Sequence, residues 1–216
     1  MKAKIAIVIS LLFWEAGIHP SWAQKPSASP TPPGGLAGDR KFDFTPTVAE
    51  QTSDGIPVRM VLFRDGKLPM QLNPPGKWIV SGSAAEMFFQ NPLFSGARIT
   101  LRASSLPVAD KLDDRWVELV KPLILVGLPK GSNNQKIANV TPDGFNIAGW
   151  TSMEIKATYD QEGKRFAAGW LFLRLRDGRL LEIICTSRDE DFASVRLAMM
   201  EALRGWGTGP LAAGGR

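Results

Sequence analysis

Apolar and polar positions alternate in short runs through the middle of this chain, and two stretches carry helical spacing instead. In 97–103 (ARITLRA), Ile99, Leu101 and Ala103 share one side and Arg98, Thr100 and Arg102 the other, which predicts a half-buried strand. Residues 58–64 and 67–72 flank Asp65-Gly66, a dipeptide suited to a two-residue hairpin turn. Asn73-Pro74-Pro75-Gly76 then stops the chain, and 78–81 and 85–89 read as two further strands. Residues 136–140 read as a short strand. Residues 151–159, 165–176 and 179–186 predict a three-stranded antiparallel meander, with Glu162-Gly163 in a longer connection and Asp177-Gly178 as a two-residue turn.

If Arg176 pairs with Arg179, Leu175 faces Leu180, Phe172 faces Ile183 and Trp170 faces Cys185. One face then carries Leu171, Leu173, Leu175, Leu180 and Ile184, the other Trp170, Phe172, Leu181, Ile183 and Cys185. Both are apolar, so these strands are expected to be covered on two sides. In 151–159, Met153, Ile155, Ala157 and Tyr159 alternate with Ser152, Glu154, Lys156 and Thr158, which predicts one solvated face.

The first helix is predicted over 110–121, capped by Asp110 with Asp113 and Asp114 in its first turn. Its apolar stripe is Leu112, Trp116, Leu119, Val120 and Leu123, and Pro122 is expected to end or kink it. The second helix, 191–204, starts behind Asp189, Glu190 and Asp191. It buries Phe192, Val195, Met199, Leu203 and Trp206, and Gly205 and Gly207 stop it. The fold class that follows is α+β, a mainly antiparallel sheet covered by helices on both faces.

The ends differ from the middle. Lys2 and Lys4, the apolar run 5–14 and the small residues of Ser21-Trp22-Ala23 form the pattern of a secretory signal peptide over 1–23. The run is too short to span a bilayer, which takes about 20 apolar residues. No cysteine follows it, so no lipid anchor is expected. Residues 24–56, rich in Pro, Ser and Gly at their start, are expected to be a disordered tether. The folded domain is expected over 57–206 and a flexible tail over 207–216.

Composition narrows the chemistry. Of 216 residues, 44% are hydrophobic and 22% charged, ordinary values for a globular protein. The single histidine, His19, falls in the leader, so the mature chain is left without a Ser-His-Asp triad, a Cys-His pair or a histidine metal site. The single cysteine, Cys185, allows no internal disulfide. A net charge of +5, with no dense Lys/Arg run, gives no nucleic-acid footprint.

The order of parts from Val58 to Trp206 resembles the PsbP-like family, including its DcrB-type exported members. The residues that carry the likeness are Asn73-Pro74-Pro75-Gly76-Lys77-Trp78, the strand ending at 97–103, a middle helix, the step Ile147-Ala148-Gly149, a meander and a closing helix. The resemblance implies an α/β/α sandwich. It also implies a binding or assembly-accessory module with no conserved active site to carry over.

Few residues suggest chemistry. Cys185 reads as a small apolar core residue, and Asp189, Glu190 and Asp191 as helix-start electrostatics rather than a calcium site. Asp113 and Asp114 are adjacent on a helix and point apart, so they form no acid/base pair. Asn139-Val140-Thr141 fits a glycosylation triplet. Lys164, Arg165, Arg174, Arg176 and Arg179 concentrate positive charge in the meander, and Trp150 is the tryptophan expected to be exposed. Lys164, Arg176, Arg179 and Trp150 are therefore the candidate partner surface. The expected function is that of a non-enzymatic binding or assembly-accessory protein in the periplasm or outside the cell. No cofactor or metal is expected, and the partner would be a protein or another envelope component. The alternative is a carrier of a small apolar ligand held between sheet and helix near Trp116 and Phe172.

Overall fold

The computed structural model describes residues 41–53, 55–94, 96–108, 110–145 and 150–208. The expected signal peptide, the tether up to residue 40, the Ile147-Ala148-Gly149 step and the last eight residues of the tail lie outside the described residues. In chain order the elements are β1 (Phe42–Ser53), β2 (Ile56–Asp65), β3 (Leu68–Leu72), β4 (Ile79–Gly82), β5 (Glu86–Gln90), β6 (Arg98–Ala103) and α1 (Asp114–Val126). Then follow β7 (Asn133–Pro142), β8 (Thr151–Gln161), β9 (Lys164–Arg174), β10 (Leu180–Arg188), one 3-10 turn (Asp189–Asp191), α2 (Phe192–Arg204) and β11 (Gly207–Thr208). All pairing is antiparallel. A four-stranded sheet has the order β1-β2-β3-β11, and a seven-stranded sheet the order β4-β5-β6-β10-β9-β8-β7.

The α+β class with a mainly antiparallel sheet is as the alternation predicts. From Ala167 to Leu173 every residue of β9 is buried, so both its faces are covered. Ala167, Leu171 and Leu173 join a cluster with Val195, Met199 and Leu203 of α2 and with Phe44, Val61, Phe63 and Leu72 of the smaller sheet. Ala168, Trp170 and Phe172, one step out of phase, join a second cluster with Trp116, Val117, Val120 and Ile124 of α1. The Val, Leu, Ile, Met and Phe side chains among them each contribute about 1.5–3 kcal/mol on burial.

The smaller sheet is the main departure from expectation. Residues 42–53, assigned above to the tether, form the strand β1, and Gly207–Thr208 of the expected tail pair with Met70 and Gln71. Phe42 and Phe44 give β1 its anchor. Their rings stack at 5.2 Å, and Phe44 stacks on Phe63 of β2 at 5.7 Å. Arg59 donates to the Trp78 carbonyl (2.9 Å) and Arg179 to both oxygens of Asp65 (2.7 and 2.8 Å), tying the two sheets together.

Turn chemistry moved the registers, by two residues between β2 and β3 and by one between β9 and β10. The β2–β3 loop is Gly66-Lys67, with Asp65 paired to Leu68 and Gly66 at φ +59. Glu162 and Gly163, both at positive φ, form the two-residue turn of β8–β9 rather than a longer connection. The β9–β10 loop has three residues, Arg176-Asp177-Gly178. Leu175 donates its N–H to the Arg179 carbonyl (2.9 Å), and Gly178 sits at φ +86. Leu173 therefore faces Leu181 and Trp170 faces Ile184, while Cys185 lies opposite Gly169. A one-residue slip exchanges faces. Leu181, Ile183 and Cys185 thus belong with Leu171 and Leu173, and Leu180 with Phe172.

Both helices shifted slightly. Asp113, not Asp110, caps α1 and accepts from the Trp116 N–H at 3.1 Å. Pro122 lies inside α1 without ending it. The carbonyl it leaves unpaired belongs to Glu118, an exposed residue where water can bond it. With the helix ending five residues later than expected, the spacing Trp116–Val120–Ile124 is the one buried. Leu119 and Leu123, assigned above to the stripe, are 56% and 46% exposed. The Ser152–Thr158 face of β8, expected to be solvated, is covered: Ser152, Glu154 and Thr158 are buried. Each is partnered, with Glu154 gripped by Arg196 of α2 at 2.5 and 2.6 Å. Ser152 accepts from the Phe145 N–H and Thr158 from Arg165. Among the described residues, no helix is long and apolar enough to cross a membrane.

Candidate functional site

The α1 side of the seven-stranded sheet is only partly covered, and the open part is a groove of about 480 Å³. Its floor follows from strand alternation. On β5, β6 and β10 the residues pointing away from the α2 cluster form three cross-strand rows. Glu86, Arg102 and Glu182 make the first, Phe88, Thr100 and Ile184 the second, and Gln90, Arg98 and Thr186 the third. Trp170 and Ala168 of β9 extend the second and third rows. Leu123, Ile124, Gly127, Leu128 and Pro129, at the end of α1, form one wall, with Ser105 and Leu106 beside them.

The rows differ in charge. In the first, Arg102 donates to both oxygens of the buried Glu182 at 3.0 and 3.2 Å. The bond to Glu182 is the main influence raising the Arg102 pKa, against the opposing effect of burial, and the charge of Glu86 adds to it. Two carboxylates and one guanidinium leave this row with a surplus negative charge. The second row is apolar apart from the Thr100 hydroxyl. In the third, the Arg98 guanidinium lies over the Phe88 ring at 3.6 Å, and its Nε is buried without a hydrogen-bond partner. Arg102, Arg165, Arg179 and Arg196 are each held by a carboxylate. Arg98 has no such bond among the described residues. The hidden Nε–H is an unmet donor inside the protein, and no carboxylate among the described residues answers the charge of this guanidinium.

The residues singled out from sequence lie elsewhere. Lys164 starts β9, while Arg176 and Arg179 lie past its other end, about 33 Å away at 3.3 Å per residue, so they form no single basic patch. Arg179 is engaged by Asp65 and Asp177 and lies over the Phe42 ring at 4.4 Å. Trp150, expected to be exposed, is half-buried, its ring 5.3 Å from Trp206. Trp116 and Phe172 meet edge to face at 5.0 Å, both buried, and the Trp116 indole donates to the Pro107 carbonyl. They fill the space where an apolar ligand was expected. Beneath α2, the space among Leu72, Phe89, Ile183 and Met199 is only about 10 Å³. The open volume lies two and three strands over from β8, on β10 and β6.

Cys185 is fully buried, and loss of hydration, with the nearby Glu154 charge behind it, pushes its thiol up to about 12. Asp189 bonds Lys156 (3.3 Å) and Glu190 pairs with Arg188 (3.6 Å). Among the described residues, no three His, Cys, Asp or Glu side chains converge as metal ligands. Asn139 lies on the edge strand β7 and donates to Thr141 at 3.0 Å. Sequence reasoning missed the groove, although its signal was present. Arg98, Thr100 and Arg102 were read as the polar side of a half-buried strand, and that side is the groove floor.

Fold and site together define an α+β module with an open, bipolar groove on one face of its larger sheet. No family model matches the chain, and no curated protein matches it. Among solved structures it is similar to a protein of unknown function and putative regulator from Pseudomonas aeruginosa. That likeness has 19% identity over 70% of this chain and 98% of that one, with a TM-score of 0.42. It is also similar to the Saccharomyces cerevisiae Ran-binding protein Mog1p, at 13% identity over 76% and 96% of the two chains, with a TM-score of 0.44. A third likeness is to the cyanobacterial PsbP of Synechocystis, at 12% identity over 84% and 99%, again with a TM-score of 0.44.

Proposed function

We propose that this protein is an exported, non-enzymatic binding module that engages its partner through the open groove beside α1. The α/β/α layering with α1 and α2 on opposite faces, and the kinship with PsbP-like and DcrB-type exported proteins, belong to the same proposal. One observation carries it: a sheet face left uncovered whose floor holds a guanidinium, Arg98, bonded to no carboxylate. The carboxylate Glu182 is already spent on Arg102. This favours recognition over acid/base work, which needs a group free to exchange a proton. Export rests on the leader pattern of 1–23.

Both parts are tested in one strain. The full chain, tagged at its C-terminus and carrying a photo-crosslinking residue at Leu123, is expected to lose its leader and reach the envelope fraction. There it should crosslink a discrete partner. The same probe at Lys164 should not capture that species. An unprocessed, cytoplasmic product overturns export, and equal capture from both positions overturns the groove.

A further inference from the structure

We infer that the groove is a binding site for a compact amphipathic monocarboxylate, an aryl or short-chain alkyl acid. The inference rests on the groove being the binding face and specifies its ligand chemistry. Arg98 marks the head position. A planar guanidinium matches a carboxylate in shape and charge, and here no protein carboxylate occupies it. Its stacking on Phe88 fixes the plane of the fork, so little freedom is lost when an anion arrives.

The body position is the next row. Phe88, Ile184 and Trp170 lie two residues along their strands from the Arg98 row, about 7 Å away. Leu106, Leu123 and Leu128 close over them from the α1 side. One further step of about 7 Å reaches the row of Glu86, Arg102 and Glu182, whose surplus negative charge repels a second anionic group. The apolar body is thus limited to about 7–14 Å, and a dicarboxylate of that length is rejected. A volume of about 480 Å³ lies in the range of small-molecule sites.

The test is titration of the purified mature protein, read by calorimetry and by intrinsic tryptophan fluorescence. The probes are 4-phenylbutanoate, the neutral 4-phenylbutan-1-ol and the dianion suberate. The monocarboxylate is expected to bind about tenfold or more tighter than the alcohol, and suberate to bind weakest. Arg98→Gln should bring acid and alcohol within about threefold, while Arg98→Lys keeps part of the preference. Leu123→Glu changes a half-exposed wall residue with no cost to the core, and it should weaken the acid more than the alcohol, because it adds repulsion to the apolar contact that both ligands lose. Equal affinity for acid and alcohol, no binding of the acid, or a preference that survives Arg98→Gln overturns the inference. A partner crosslinked from Leu123 in the absence of acid binding would leave the groove as the docking face and remove only the small ligand.

Discussion

Gly169 in the middle of β9 offers a direct test of how α2 seats on the sheet. Glycine is a poor strand residue, so replacing it by alanine at a compatible site ordinarily stabilises a protein by about 0.4–1 kcal/mol. Its backbone is not in the left-handed region, so nothing local forbids alanine. The obstacle is packing. A Cβ there would lie 2.8 Å from Phe192 Cζ and 3.2 Å from the Cys185 sulfur. The Phe192 ring rests directly on this backbone, pinned from the solvent side by the Lys156 ammonium at 4.5 Å. Making room means pivoting a buried ring at the first residue of α2. Overpacking of this kind costs about 1–3 kcal/mol. Set against the usual gain, Gly169→Ala should destabilise by about 1–2 kcal/mol, a fall in Tm of about 2–8 °C for a chain of this size. Urea unfolding followed by tryptophan fluorescence measures it. The decisive arm is Phe192→Leu: in that background the alanine should cost little, giving a coupling of at least about 0.5 kcal/mol. A single variant as stable as the parent, or a cost unchanged without the ring, would refute the packing argument.

Two further outcomes follow from buried groups. Because the folded Cys185 pKa stands near 12 against an ordinary 9.0, its neutral thiol favours the fold. That contribution is complete below pH 9 and is lost as pH rises toward 12, at up to about 1.4 kcal/mol per pH unit. Burial also raises Tyr159, but from an ordinary value of 10.0, so the interval from pH 9 to 10 reports the thiol. Cys185→Ala should flatten stability there, and a native thiol that labels as fast as the unfolded one would contradict its burial. Arg196→Ala leaves the Glu154 carboxylate buried and alone. Its cost should be about 1–3 kcal/mol, below the 3–5 of a fully buried pair because the Arg196 side chain is 38% exposed. The double change Glu154→Gln with Arg196→Met should cost less, and a single variant within about 0.5 kcal/mol of the parent would count against the pair.

How far the sequence could be read depends on which physical scale decides each feature. Period-two alternation is local, and it located β5, β6, β8, β9 and β10 to within a residue or two. Register depends on turn dihedrals, and there Asp177-Gly178 misled. Gly178 takes the left-handed position of a three-residue loop, which exchanges the faces of β10 relative to β9. β1 escaped notice because Thr45-Pro46-Thr47 and the acidic and polar residues around it carry little alternation. Its anchor is the stacking of Phe42 and Phe44 toward Phe63, a tertiary contact. The same holds for the polar face of β8, whose Glu154 looks solvated until Arg196 arrives from a helix 42 residues later.

The groove combines both scales. Part of its floor was legible, because Arg98, Thr100 and Arg102 on β6 alternate with core positions as a water-facing row would, whereas Glu182 and Thr186 on β10 were hidden between apolar neighbours. A face meant for full helix cover would not carry them, since each would need a buried partner. The extent of α1's cover is set by what its stripe can pack against. Trp116, Val120 and Ile124 join Phe172, Ile155, Ala157 and Ala168 in one cluster, on the β8–β9 half of the sheet. Ala157 and Ala168 belong to that cluster with their small side chains. Phe88 and the charged rows beyond Trp170 offer no comparable apolar seat, so the helix ends as a wall. The polar alternation of β6 and the small residues of β8 and β9 are two consequences of the same division of the sheet, and the groove is the boundary between them.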